Sequence, residues 1–232
     1  MVTYKLIYFD YRGYGDAIRL IFEYTGVKYD DVIVDPPTWT SMKLNTKFGH
    51  LPILEVDGVR IHETVAIARF LGHELGLCPS TSIENAHIDS TVDAVLERLD
   101  RLKVYKHYKP KDDAEIVNQM TSFVSYLNQE VEILKKLRTD LPVLLKDIEA
   151  HFAKSESGFV CSTYKAPTWA DFWLLARLYL VHKKLNTNFT TLPAIKRYFE
   201  TMKVLPAVAK FYEQTKSRST LGKNFPLIED EV

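Results

Sequence analysis

Apolar residues recur along this chain in two rhythms. Up to about residue 77 they come in short runs broken by turn residues. Lys5 to Phe9 and Tyr29 to Val34 read as strands, with a helix from Gly15 to Tyr24 between them that Gly26 closes. A strand, a helix and a strand this closely spaced form a βαβ unit, for which parallel pairing and a right-handed crossover are expected. Pro36-Pro37 opens a loop or short helix spanning Asp35 to Lys47. Pro52 then leads into the run Ile53 to Val56, Asp57-Gly58 is a two-residue turn of the type that needs positive φ, and Val59 to His62 returns as the partner strand. Thr64 to Leu75 is helical and stops at Gly76. A parallel unit joined to a hairpin predicts a small mixed four-stranded sheet with helices on its faces.

The rhythm changes after the turn-rich stretch Cys78-Pro79-Ser80-Thr81-Ser82, which sets an expected boundary between a domain at 1–77 and a second at 83–232. Ile88, Val92, Val95, Leu96, Leu99 and Leu102 make one helical stripe, and Asp89, Asp93, Glu97 and Asp100 make another. Lys109-Pro110-Lys111-Asp112-Asp113 breaks that helix, and a long helical pattern follows from about Glu115 to Phe152, with Pro142 at a kink or restart. In Thr168-Trp169-Ala170-Asp171 the threonine sits at the N-cap, ready to accept from the amide three residues on, while Asp171 reaches back as in a capping box. The next helix, FWLLARLYLV, is apolar on nearly every side and is expected to cross the core. Shorter helices begin near Leu192-Pro193 and Leu205-Pro206. The tail from Ser217 to Val232 is either a cover over a cleft or an unstructured end. The second region reads as all-helical.

Composition narrows the function classes. Among 232 residues, Lys plus Arg and Asp plus Glu both number 30, so the basic excess of a nucleic-acid binder is missing. The N-terminus lacks the pattern of a secretory signal and no run approaches the roughly 20 apolar residues of a membrane span, so no membrane role and a cytoplasmic location are expected. Cys78 and Cys161 have neither a disulfide framework nor zinc spacing around them, which fits a reducing compartment, where the sequon at Asn188 stays unmodified. Gly13-Tyr14-Gly15 resembles the start of a dinucleotide fingerprint, but Ile18 stands at the third glycine position.

Glu63-Thr64 sits where a strand hands over to a helix. Helix N-termini bind anions, and a carboxylate beside one suits a ligand carrying both charges, such as the α-amino and α-carboxylate ends of an amino acid.

Taken in order, Tyr4-Lys5-Leu6-Ile7-Tyr8-Phe9, then Arg12-Gly13, Asp16 and Arg19, then FGHLPILEVDG, the Glu63 to Arg69 helix start and Thr168-Trp169-Ala170-Asp171 resemble a cytosolic glutathione transferase, most nearly of the sigma class. The resemblance covers nearly the whole chain. It implies an α/β thioredoxin-like N-terminal domain with cis Pro52 before the third strand, an all-α C-terminal domain and a homodimer. Glutathione is the implied co-substrate and a small apolar electrophile its partner, with no metal required. Tyr8 is the implied catalytic residue, its phenol donating to the glutathione sulfur. Trp39 and Lys43 match positions that hold the glycine end, Gly49, His50, Leu51 and Pro52 those around the cysteine, and Glu63 and Thr64 the γ-glutamyl end. Tyr14 stands where sigma enzymes often carry arginine, His50 where lysine or glutamine is usual, and Glu63 in place of glutamine. Phe9, Arg12, Tyr105 and Tyr108 are the expected electrophile wall. The stripe of Asp93, Glu97 and Asp100 resembles a cation site of one sigma-class prostaglandin synthase, but Leu96 interrupts it and a solvated or salt-bridged face is the better reading. Two other functions share this architecture: glutathione-dependent isomerisation of a prostaglandin or similar lipid, and a non-catalytic, crystallin-like role.

Overall fold

The computed structural model describes residues 2–101, 142–143, 145–185 and 189–218. Four strands, β1 (Tyr4–Tyr8), β2 (Asp30–Ile33), β3 (Ile53–Val56) and β4 (Val59–His62), form one sheet in the order β2-β1-β3-β4. β1 pairs parallel with β2 and antiparallel with β3, so the expected mixed sheet is present. The crossover between β1 and β2 is α1 (Asp16–Thr25), closed by Gly26 at φ 69°. Asp57 at φ 47° and Gly58 at φ 85° make the β3–β4 turn, the left-handed pair that a tight hairpin needs. The connector resolves into a helix, α2 (Pro36–Lys43), because the Asp35 side chain accepts from the Thr38 N–H at 2.8 Å and two prolines occupy its first turn. The Leu51–Pro52 peptide is cis and leads directly into β3.

β1 is buried on both faces, and its alternation divides the core. Tyr4, Leu6 and Tyr8 join the large cluster under the helices, while Ile7 turns to a smaller one with Val34 and Ile53. Past α3 (Thr64–Glu74) and the stop at Gly76, α4 (Ser82–Arg101) begins the helical region, followed by a helical stretch at 145–153 and by α5 (Trp169–Leu185), α6 (Pro193–Lys203) and α7 (Pro206–Gln214). The break expected near Lys109, Tyr105, Tyr108, most of the long pattern up to Phe152 and the tail beyond residue 218 lie outside the described residues.

The sheet region and the helices share one continuous apolar core. α5 runs through it as its pattern suggests, with Trp169, Phe172, Trp173 and Leu175 all buried, and it packs on α1 and α3. The start of α5 differs in detail from the expected box. Asp171 does reach back, accepting from the Thr168 N–H at 2.7 Å, but it also takes the Val160 N–H at 2.8 Å and the Thr168 hydroxyl at 2.9 Å. The threonine therefore donates to the carboxylate, and the Asp171 N–H goes to the Thr168 carbonyl. Burial pushes Asp171 up to about 6 against the pull of these donors. Thr168 and Asp171 are fully buried, so a dry carboxylate collecting three donors is the arrangement that leaves the fewest polar atoms unpaired.

Contact between α3 and α5 depends on Gly72. A Cβ built there falls 2.7 Å from Trp169 Cγ and 2.8 Å from its Cβ, inside the distance real carbons adopt. Gly72→Ala is expected to destabilise the fold by about 1–3 kcal/mol, the usual range for overpacking a closed core, measured as a lower denaturant midpoint with Trp fluorescence as the probe.

Candidate functional site

Tyr8 ends β1 with its ring pressed against the start of α1. The approach is close because Gly15 has no side chain: a Cβ there would sit 2.7 Å from Tyr8 Cγ. Gly15 lies at φ −69°, so what demands glycine is the ring beside it rather than its backbone conformation. The same approach brings the Tyr14 N–H to the phenol oxygen at 2.9 Å. The amide donates and the hydroxyl accepts, so the phenolic proton is left to point elsewhere. Tyr8 is 2% exposed, and burial pushes its phenol well above the ordinary value of 10, although the Tyr14 N–H pulls it down. The residue is a hydroxyl donor at any physiological pH.

That hydroxyl borders a cavity of about 780 Å³ between the sheet region and the helices. Ligand sites for small molecules run from about 300 to 1,000 Å³, so the space is of small-molecule size. On the sheet side the cavity gathers Trp39 and Lys43 of α2, Gly49, His50 and Leu51 of the loop before β3, and Glu63 and Thr64 at the start of α3. Gly49 is at φ +65°, a left-handed position, and the Lys43 stem lies 3.5 Å from where its Cβ would be. Glu63, the N-cap of α3, stands at φ 68°, ψ 122°, a region costing a non-glycine residue about 1–3 kcal/mol, and its side chain caps no amide of the helix while the residue lines the cavity. Lysine at one end and a carboxylate beside a helix N-terminus at the other complement a molecule with an anionic end and a zwitterionic end.

Phe9 stacks on Tyr11 with ring centroids 4.9 Å apart, and the pair stands beside Tyr8 as an aromatic wall. Tyr14 also lines the cavity. Among the described residues, two that were expected at the site are not on its lining. Pro52 is buried behind Leu51. Arg12 is 3% exposed and turns the other way, donating to the Thr215 carbonyl and hydroxyl, each at 2.9 Å, with its guanidinium over the rings of Tyr179 and Tyr212. One nitrogen of the guanidinium, Nη2, meets the open carbonyls at a helix C-terminus, so Arg12 clamps the end of α7 to the loop after β1. Beside it Asp16 is pushed up to about 6 by burial, with Arg19 and Arg12 pulling down.

Among the described residues, the helical side of the cavity is lined by Leu96 of α4 and by Trp173 and Arg177 of α5, none of which the sequence patterns marked as a site residue. Arg177 was visible as the one charge inside FWLLARLYLV, a signal for a polar task inside an apolar helix. The acidic stripe of α4 is partly a salt-bridged face, since Asp89 holds Arg69 at 2.7 Å, while Asp93 and Glu97 are exposed.

Comparison with known proteins agrees with this geometry. The family model for the N-terminal domain of glutathione S-transferases matches residues 4–73, and that for the C-terminal domain matches residues 114–215. Hematopoietic prostaglandin D synthase of Gallus gallus is 35% identical over 173 residues, 75% of this chain and 76% of that protein. Glutathione S-transferase 4 of Caenorhabditis elegans is 31% identical over 221 residues, 88% of this chain and 98% of its own. The solved glutathione S-transferase of Ascaris lumbricoides has a TM-score of 0.68 at 30% identity, covering 92% of this chain and 97% of that one. By sequence, by architecture and by the cavity at the meeting of its two regions, this chain belongs to the glutathione S-transferase family.

Proposed function

We propose that the protein is a sigma-class-like glutathione transferase that joins the thiolate of glutathione to small apolar electrophiles. The observation that carries this reading is the Tyr8 hydroxyl, buried at the cavity, accepting from the Tyr14 N–H and so committed to donate its own proton. A thiol with a pKa near 8.5 is mostly protonated at neutral pH, and a donor aimed at the sulfur favours the thiolate. Lys43 and Trp39 hold the glycine end of glutathione, Gly49, His50 and Leu51 border its cysteine, and Glu63 and Thr64 receive the γ-glutamyl end. The electrophile lies against Phe9 and Tyr11. Attack forms a carbon–sulfur bond as an aryl halide loses its halide, and the residues accelerate it by orientation and thiolate stabilisation. The working form is a cytoplasmic homodimer.

Glutathione-dependent isomerisation of a lipid is the second reading, favoured by the resemblance to a relative named hematopoietic prostaglandin D synthase. It uses the same thiolate and returns it. A crystallin-like role fits less well, because the close Gly15–Tyr8 contact and the donor arrangement serve a phenol facing a ligand.

Retention on immobilised glutathione and conjugation of a generic aryl halide test the assignment. Tyr8→Phe is expected to keep retention and lose about 10- to 100-fold in kcat/KM, the worth of a hydrogen bond to a charged partner; activity unchanged in Tyr8→Phe removes Tyr8 from the chemistry, and no retention at all favours the structural role. Gly15→Ala pushes the Tyr8 ring aside, and a shift of about 1 Å in a reacting group costs on the order of 100-fold, so turnover should fall without any change at the thiol's other contacts. Because the phenol's own ionisation lies above 10, kcat/KM for the electrophile at saturating glutathione should rise through the bound thiol's titration and hold its plateau to about pH 10, with no descending limb from Tyr8.

A further inference from the structure

Arg177 stands out among the cations of the cavity because its partners do not account for its charge. Arg69 is held by Asp89 at 2.7 Å and lies over the Trp169 ring, and Lys43 lies out at the α2 end. Arg177 is 8% exposed in the middle of an apolar helix, its guanidinium stacked over the Tyr14 ring at 4.4 Å. Its Nε is shut off from solvent and has no hydrogen-bond partner, and among the described residues no carboxylate forms an ion pair with it. A buried donor left unpaired is costly and calls for an explanation; Arg12 Nη1 and Arg19 Nη1 lack a hydrogen-bond partner in the same way, but of these three only Arg177 lines the cavity. Trp173, one turn earlier on α5, and Leu96 of α4 give the same wall an apolar surface.

We propose that Arg177 is a specificity-determining residue that anchors a carboxylate on the electrophile, so that the protein prefers acceptors with an apolar body and an acidic end. The proposal rests on the transferase reading of the same site. Tyr14 leaves the loop after β1 without a cation facing the ligand, and Arg177 brings one to the Tyr14 ring from the opposite wall. A guanidinium presents two parallel N–H donors to a carboxylate, and a dry apolar setting strengthens both. For an α,β-unsaturated ketone bearing an acid, the thiolate adds to the β-carbon as the π pair moves onto the carbonyl oxygen. The enolate then takes a proton from water at the α-carbon. Arg177 touches only the carboxylate, which is unchanged in the product.

Two measurements test this. In the first, the saturated, unreactive acid and its methyl ester are titrated against the wild-type protein by quenching of its tryptophan fluorescence, in the absence of glutathione. The acid is expected to bind at least tenfold more tightly, and equal affinities overturn the proposal. Because no turnover is involved, a preference for the acid in a protein that conjugates nothing would sink the transferase reading and leave the anion site standing. In the second, the unsaturated acid and its ester are compared as substrates in wild type, Arg177→Gln and Arg177→Lys. The acid-to-ester ratio of kcat/KM is expected to fall at least tenfold in Arg177→Gln and less in Arg177→Lys, which keeps the charge but loses the fork. A ratio that stays at the wild-type value in both variants overturns the assignment. A rise in KM for glutathione with that ratio intact does so as well, and assigns Arg177 to the glutathione carboxylates.

Discussion

The hydrogen bond from the Tyr14 N–H to the Tyr8 hydroxyl decides where the phenol's proton goes, and the surrounding architecture serves to hold that bond. It requires the end of β1 and the turn just before α1 to meet, which Gly15 permits by having no side chain. It requires Tyr8 to be dry, which the shared core of sheet and helices provides. Burial and the amide act in opposite directions on the phenol, and burial prevails, so the group keeps its proton and works as a donor instead of a base. In the proposed transferase, the thiol it addresses is the group that changes charge.

The two regions divide the remaining work. The sheet side brings polar side chains to the cavity, with Lys43 laid along a left-handed Gly49 and Glu63 turned by a positive φ at the start of α3. Among the described residues, the helical side supplies an apolar wall with one cation, Arg177, and α5 runs through the middle of the core. The helices are fixed against the sheet by contacts with little slack: Gly72 under the Trp169 ring, the Trp169 N–H on the Leu77 carbonyl at 3.1 Å, and Arg12 on the end of α7. A cavity lined from both sides keeps its shape only while these hold.

The fold was legible because its punctuation is local. Gly26, Asp57-Gly58, Gly76, Pro193 and Pro206 each mark an end or a start through backbone constraints that act within a few residues, and each element stands where they place it. The sheet-side residues of the cavity were legible for a similar reason, since they sit in short motifs on adjoining turns. What sequence reading missed depends on distant partners. Arg12 looked like a wall residue because nothing near it in the chain reveals that Thr215 is its acceptor, 203 positions away. Arg177 and Trp173 looked like parts of a core helix because which face of α5 meets the cavity is settled by packing against α1 and α3. At Thr168 the motif was right and the direction of its hydroxyl wrong, because full burial gave Asp171 a third donor to satisfy.

The most direct test of the central claim is the ionisation of the glutathione thiol when bound, followed by thiolate ultraviolet absorbance across pH in the wild-type protein. A donor at Tyr8 requires bound glutathione to titrate at least one unit below the free thiol, with the signal displaced by an unreactive S-alkyl glutathione. A bound thiol that titrates where the free one does would contradict the account, because the buried phenol would then be stabilising nothing.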